Sequence, residues 1–235
     1  MATAFLLASC TSKPPVSLVT PLPPVAKHPL AGNALQNNEP VRGVWLATVS
    51  RLDWPPLASV NGVGTAQSRI NQQQQAMRVK LDKLKSLGIN TVFFQVKPDG
   101  TALWPSKILP WSDTLTGKIG QDPGYDPLQF MLDEAHKRGM RVHAWFNPYR
   151  VSTNIKPSTI ADLNSTLPLH PSSVFVLHRY WVRTAGDRFV LDPGIPDARD
   201  WITSIVAEVV SRYPVDGVQF DDYFLSLIHI SEPTR

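Results

Sequence analysis

Asp221-Asp222-Tyr223 sets two adjacent carboxylates beside an aromatic ring, the residue types in this sequence best suited to acid–base or nucleophilic work. One carboxyl can protonate a leaving oxygen while another attacks or activates water, the division of labour that glycosidic cleavage requires. An isolated Asp-Asp serves as readily as a solvated turn or a helix cap. Here Gln219 stands two residues before Asp221 in a strand-like run. Alternation therefore places Gln219, Asp221 and Tyr223 on one face and Val218 and Phe220 on the other. Asp221 is then the inward group, with Asp222 bonding to nearby backbone or holding a loop.

Further polar and aromatic groups stand in, at or just past the ends of three other strand-like runs. Trp45 belongs to the first, Gln95, Lys97 and Asp99 to the second, and Trp145, Asn147, Tyr149 and Arg150 to the third. Their types suit sugar contacts. Trp54, Trp104 and Trp111 fall in long loops, where a ring either stacks on a pyranose face or plugs the loop's own small core. Asp192 is either a turn former or a rim contact, and His143 reads as a packed histidine rather than a catalytic one. The sequence has no His-x-His, Cys-x-x-Cys or His-Glu-x-x-His spacing, so neither a metal nor another cofactor is expected.

These residues must be positioned by a repeating unit. Strand-like runs cover Gly43–Val49, Thr91–Lys97, Arg141–Asn147 and Gly217–Phe224. Amphipathic helices are predicted over Gln72–Leu87 (Met77, Leu81, Leu84 and Leu87 inward), Pro127–Arg138 (Leu128, Met131, Leu132 and Ala135 inward) and Pro196–Arg212 (Trp201, Ile202, Ile205, Val206 and Val209 inward). Gly88 and Gly139 end the first two. Short helix-to-strand turns and long strand-to-helix loops are the asymmetry of a (β/α)8 TIM barrel, whose long loops build the active site. A doubly wound sheet would show a glycine-rich phosphate turn after its first strand; Ser50-Arg51-Leu52-Asp53-Trp54-Pro55-Pro56 stands there instead. The expected fold is thus α/β, with residues 42–224 supplying four strands, the N-terminal half of a TIM barrel. Val92, Phe94, Val96, Val142, Ala144 and Phe146 should pack on the helices. Trp45, Gln95, Lys97, His143, Trp145, Asn147 and Gln219 should face the lumen.

The 43% hydrophobic content, with 7 Trp and 9 Phe, is ample for a core. A net charge of +4, scattered along the chain, is too weak a field to indicate nucleic acid but suits an anionic envelope polymer. The single cysteine, Cys10, excludes an internal disulfide. It ends Leu7-Ala8-Ser9-Cys10, which has the form of a bacterial lipobox, so residues 1–10 read as a partial lipoprotein signal peptide, with the true start upstream. Residues 11–41 read as a disordered Pro-rich tether. Thr11 is not the aspartate that retains lipoproteins in the inner membrane, so a lipid anchor in the outer membrane, facing the periplasm, is expected. Residues 225–235 continue no pattern and read as a foreign tail, of the kind produced by adapter read-through.

Four segments carry a specific resemblance: Arg42–Val49, Phe93–Gly100, Ala144–Arg150 and Asp216–Phe224 resemble the glycosyl-hydrolase-like 10 family, in particular an envelope lipoprotein of enterobacteria. The resemblance runs almost continuously from Arg42 to Phe224. It implies a TIM barrel that hydrolyses peptidoglycan glycan strands, those stripped of stem peptides, with recruitment to the division site, and it places Asp221 and Asp222 at the active site. A second catalytic carboxylate from a later strand would lie beyond this sequence. Two other readings remain open: a carbohydrate-binding envelope protein without turnover, and a scaffold lipoprotein that gathers division proteins.

Overall fold

The protein is described by a computed structural model covering residues 39–62, 64–165 and 173–220. Cys10, the signal-like segment, nearly all of the Pro-rich segment, the tail at 225–235, and Asp221, Asp222 and Tyr223 lie outside the described residues. The elements in chain order are β1 (Gly43–Leu46), α1 (Leu57–Asn61), α2 (Ala66–Ser86), β2 (Thr91–Lys97), α3 (Asp113–Thr116), α4 (Pro127–Lys137), β3 (Arg141–Phe146), α5 (Pro157–Ser165), α6 (Val174–Leu177), β4 (Val182–Ala185), β5 (Arg188–Leu191), α7 (Pro196–Arg212) and β6 (Gly217–Phe220).

Four strands form one parallel sheet in the order β1-β2-β3-β6. Each strand joins beside its predecessor in that order, and the order never reverses as it would at the switch point of a doubly wound sheet. Val44, Val92 and Val142 stand in one register row, and Leu46, Phe94, Ala144 and Val218 in another. Both rows enter the same core as Met77 and Leu81 of α2, the four inward residues of α4, and Ile205 and Val209 of α7. All three long helices therefore cover one face. An arc of this kind, with no helix on the opposite face among the described residues, is consistent with part of a (β/α)8 barrel wall.

The helices begin and end where local chemistry dictates. Helix α2 starts at Ala66, six residues before the predicted Gln72, because Thr65 accepts from Ser68 N at 3.1 Å and caps it. Asp126 caps α4 through Gln129 N at 3.0 Å. Gly88 and Gly139 hold left-handed backbone at φ 77° and 66°, which stops each helix and turns the chain into the next strand. Leu87, expected inward, is exposed: as the C-cap residue it lies past the last turn that faces the sheet.

Above the strand ends, the buried amide of Gln73 joins three segments. Its Nε2 donates to Leu115 O at 2.8 Å and Ser59 Oγ at 3.3 Å, its Oε1 accepts from Tyr125 OH at 2.9 Å, and its backbone O accepts from Trp54 Nε1 at 3.0 Å. Between β3 and α7, the antiparallel pair β4–β5 and helices α5 and α6 build a second apolar cluster around Phe175, Trp181 and Phe189.

Candidate active site at the carboxyl ends of the parallel strands

The face opposite the helices is aromatic. Trp45, Phe93, His143 and Gly217 share one register row across the four strands. Trp45 stacks on Phe93 with centroids 4.7 Å apart and meets the edge of Trp145 at 4.8 Å; Phe93 meets His143 at 5.1 Å. Trp45 remains 48% exposed. The indole N–H of Trp145 is shielded from solvent and meets no acceptor among the described residues. Phe93 belongs to this face by the same alternation that selects Trp45, although its apolar type hides it among core residues.

A network of backbone and charged groups holds the loops at the strand ends. Gln95 is buried, and its Oε1 accepts from Thr48 N at 2.9 Å and Val49 N at 2.8 Å, while Thr48 Oγ1 donates to Gln95 O at 2.9 Å. Its amide oxygen is thus used to fix the turn after β1. Lys97 does not face the lumen as alternation predicts. The register slips between Gln95 and Lys97, so that Lys97 pairs with Phe146, and this bulge removes Lys97 from the lumen row. At 1% exposure, its ammonium donates to Asn147 O at 2.8 Å, Pro148 O at 3.0 Å and Arg150 O at 3.4 Å. Lys97 therefore ties down the loop after β3.

Asn147 is buried too. With its amide oxygen turned to the guanidinium, it accepts from both Nη1 and Nη2 of Arg150 at 3.1 Å. Asp99 is half-buried and accepts from Thr101 Oγ1 at 2.6 Å. Burial pushes its carboxyl up to about 6, helped by the nearby Asp113 carboxylate and opposed by the Thr101 bond, Lys97 and Arg150. Burial likewise pulls Lys97 down to about 7, against the attraction of Asp99 and with repulsion from Arg150. Asp113 is raised as well, by burial first and by Asp162, with Arg51 opposing. These groups form one electrostatically connected cluster under the strand ends.

Of the residues predicted to contact substrate, Trp45 and Trp145 converge on the lumen face, Lys97, Asp99, Asn147 and Arg150 converge around the loop after β3, and Gln95 holds the turn after β1. Gln219 pairs in register with Trp145, and its Nε2 donates to Phe220 O at 2.8 Å. Tyr149 goes elsewhere, packing against the second cluster while its carbonyl accepts from Leu191 N at 2.8 Å. Trp54 and Trp104 are fully buried plugs rather than exposed platforms, and Trp111 packs against the same core. Asp192 is a turn former: its Oδ1 accepts from Gly194 N at 2.8 Å and its Oδ2 pairs with Arg183 at 3.2 Å. Two residues with no obvious sequence signal, Ser50 and Arg51, hold left-handed backbone just after β1. The Arg51 guanidinium donates to Asp113 O at 2.7 Å and Thr114 O at 3.0 Å.

Residues 40–231 match the family described as Glycosyl hydrolase-like 10. The chain is 72% identical over 224 residues to Glycosyl hydrolase DigH of Escherichia coli (strain K12), which covers 95% of this chain and 50% of that protein. It is 42% identical over 200 residues to Glycosyl hydrolase YngK of Bacillus subtilis (strain 168), covering 85% of this chain and 36% of that one. The chain thus spans half the length, or less, of these curated relatives. Solved structures show only distant likeness. A cycloalternan-forming enzyme from Listeria monocytogenes gives a TM-score of 0.37 at 13% identity, over 63% of this chain and 15% of that one. An alpha-L-fucosidase GH29 from Bacteroides thetaiotaomicron gives 0.32 at 20%, over 76% and 45%. The architecture accordingly rests on the strand order, and the family on the sequence match that spans the parallel sheet: this chain belongs to the glycosyl hydrolase-like 10 family.

Proposed function

We propose that this chain forms part of an envelope glycoside hydrolase that cleaves peptidoglycan glycan strands, those without stem peptides, in wall remodelling at division. Anchorage to the outer membrane through a lipidated Cys10, and division proteins as partners, belong to the same proposal. The observation that carries it is the aromatic lumen face, where half-exposed Trp45 is backed by Phe93 and Trp145. Flat rings suit a sugar, whose C–H faces stack on aromatics. In sequence, Asp221 and Asp222 directly follow Phe220, the last described residue of β6. A carboxylate at that end of a barrel strand is the chemical complement to such a face.

The test uses this chain and the E. coli relative side by side, on glycan strands with and without stem peptides. This chain should co-sediment with the peptide-free strands, and Trp45→Ala should weaken that binding on the order of tenfold. The relative should release soluble fragments. Replacing its aspartate aligned with Asp221 by Asn should lower turnover by about 10²-fold or more, and the one aligned with Asp222 by less. Binding without cleavage by either protein would favour a carbohydrate-binding role. Absence of both would leave the scaffold reading.

A further inference from the structure

Ser50 and Arg51, consecutive non-glycine residues after β1, both hold left-handed backbone, Ser50 at φ 51° and ψ 18° and Arg51 at φ 56°. That region brings Cβ against the following carbonyl in an L-residue, whereas glycine enters it freely, as Gly88, Gly117 and Gly139 do elsewhere in this chain. The turn is closed by its own backbone bonds, Arg51 N to Thr48 O at 3.0 Å and Leu52 N to Val49 O at 3.1 Å, and by side chains on either side of it. Gln95 Oε1 grips Thr48 N and Val49 N, and Asp53 Oδ2 accepts from Ala47 N at 2.8 Å. Strain that persists because its surroundings over-determine it is a mark of functional sites. The side chain of Arg51 accounts for its own presence, since its guanidinium secures Asp113 O and Thr114 O. Ser50 has no such account: it is exposed, and its hydroxyl meets no partner among the described residues.

We infer that Ser50 is a substrate contact, its hydroxyl held at the rim of β1 to hydrogen-bond a hydroxyl or acetamido oxygen of a glycan lying along the Trp45 face. This rests on the glycan-strand reading above. The strained turn then serves to fix that hydroxyl before the ligand arrives. A residue chosen only for backbone shape would be glycine.

The experiment measures binding of the full chain to peptide-free glycan strands, with thermal unfolding alongside, for Ser50→Gly, Ser50→Ala, Ser50→Asn and Trp45→Ala. Loss of one ligand hydrogen bond should weaken binding about threefold to tenfold in both Ser50→Gly and Ser50→Ala. Ser50→Gly, freed of strain, should keep or raise the melting temperature. Asn tolerates left-handed backbone and keeps a polar group, so Ser50→Asn should bind within about twofold of wild type. Wild-type-like binding by both Ser50→Gly and Ser50→Ala, with Trp45→Ala still impaired, would overturn the role of Ser50 while leaving the functional reading intact. No binding by the wild-type chain would remove both.

Discussion

Glu208 of α7 accepts the indole Nε1–H of Trp104 at 2.9 Å, across 104 residues of sequence. The same carboxylate accepts from Ser106 Oγ at 2.5 Å, Lys107 N at 2.6 Å and Arg212 Nη1 at 3.3 Å. One side chain on the helix before β6 thus fastens the loop that follows β2, with the Trp104 ring buried against Phe146. Glu208→Ala leaves a buried indole N–H without its acceptor and should cost about 2–4 kcal/mol of stability. Glu208→Gln keeps one acceptor oxygen and should cost less than half as much. Urea unfolding of the three proteins checks this. An alanine variant within about 0.5 kcal/mol of wild type would mean that packing alone holds the loop.

Gly217 opens β6 beside His143, whose ring lies where a Cβ would be: an added methyl would meet its Cε1 at 2.6 Å and its Nδ1 at 2.7 Å. The imidazole is half-buried, and burial lowers its proton affinity below the ordinary histidine value. Gly217→Ala should therefore force the ring and the strand apart, at about 1–3 kcal/mol. His143→Ala in the same chain should recover most of that loss, because the clash is with the ring and not with backbone. Thermal unfolding of both single variants and the double variant forms the cycle. Simple additivity would show that the glycine is needed for some other reason.

Much of this arrangement was legible in the sequence, and the exceptions have physical causes. The core faces of β2 and β3 and the stripe of α4 follow from periods of two and 3.6, which is why Val92, Phe94, Val142, Ala144 and Leu128 fall where alternation puts them. Lys97 escapes that logic because one extra residue in β2 shifts everything after it, and a bulge has no signature in residue type. Trp54 and Trp104 were ambiguous because the same ring can stack on a sugar or fill a loop, and only partners such as Gln73 and Glu208, distant in sequence, decide it. The β4–β5 hairpin did leave a signal, the Gly186-Asp187 pair between two short runs, with Gly186 at φ 59°, but it was masked by the longer βα pattern around it. Ser50 and Arg51 were invisible, since left-handed backbone at a non-glycine residue contradicts the rule by which turns are read.

At the opposite end of the sheet, His136 Nε2 lies 2.8 Å from Asp216 Oδ2, which also accepts from Val142 N at 2.7 Å. The pair links α4 to the start of β6 and to β3. The bond to Asp216 raises the His136 proton affinity above the ordinary value of 6.5, and the charges of Asp216 and Asp133 add to this while burial opposes it. The folded state then holds the proton more tightly than the unfolded chain, so the stabilisation is complete below the unfolded value and fades as pH rises through the higher folded one. The melting temperature of wild type should exceed that of His136→Gln by more at about pH 5.5 than at about pH 8.5. The difference should shrink without vanishing, because a neutral imidazole can still donate to the carboxylate. Asp216→Asn should flatten the same pH dependence while also weakening the hold on Val142 N. An equal gap between wild type and His136→Gln at both pH values would show that the pair acts through packing and not through charge.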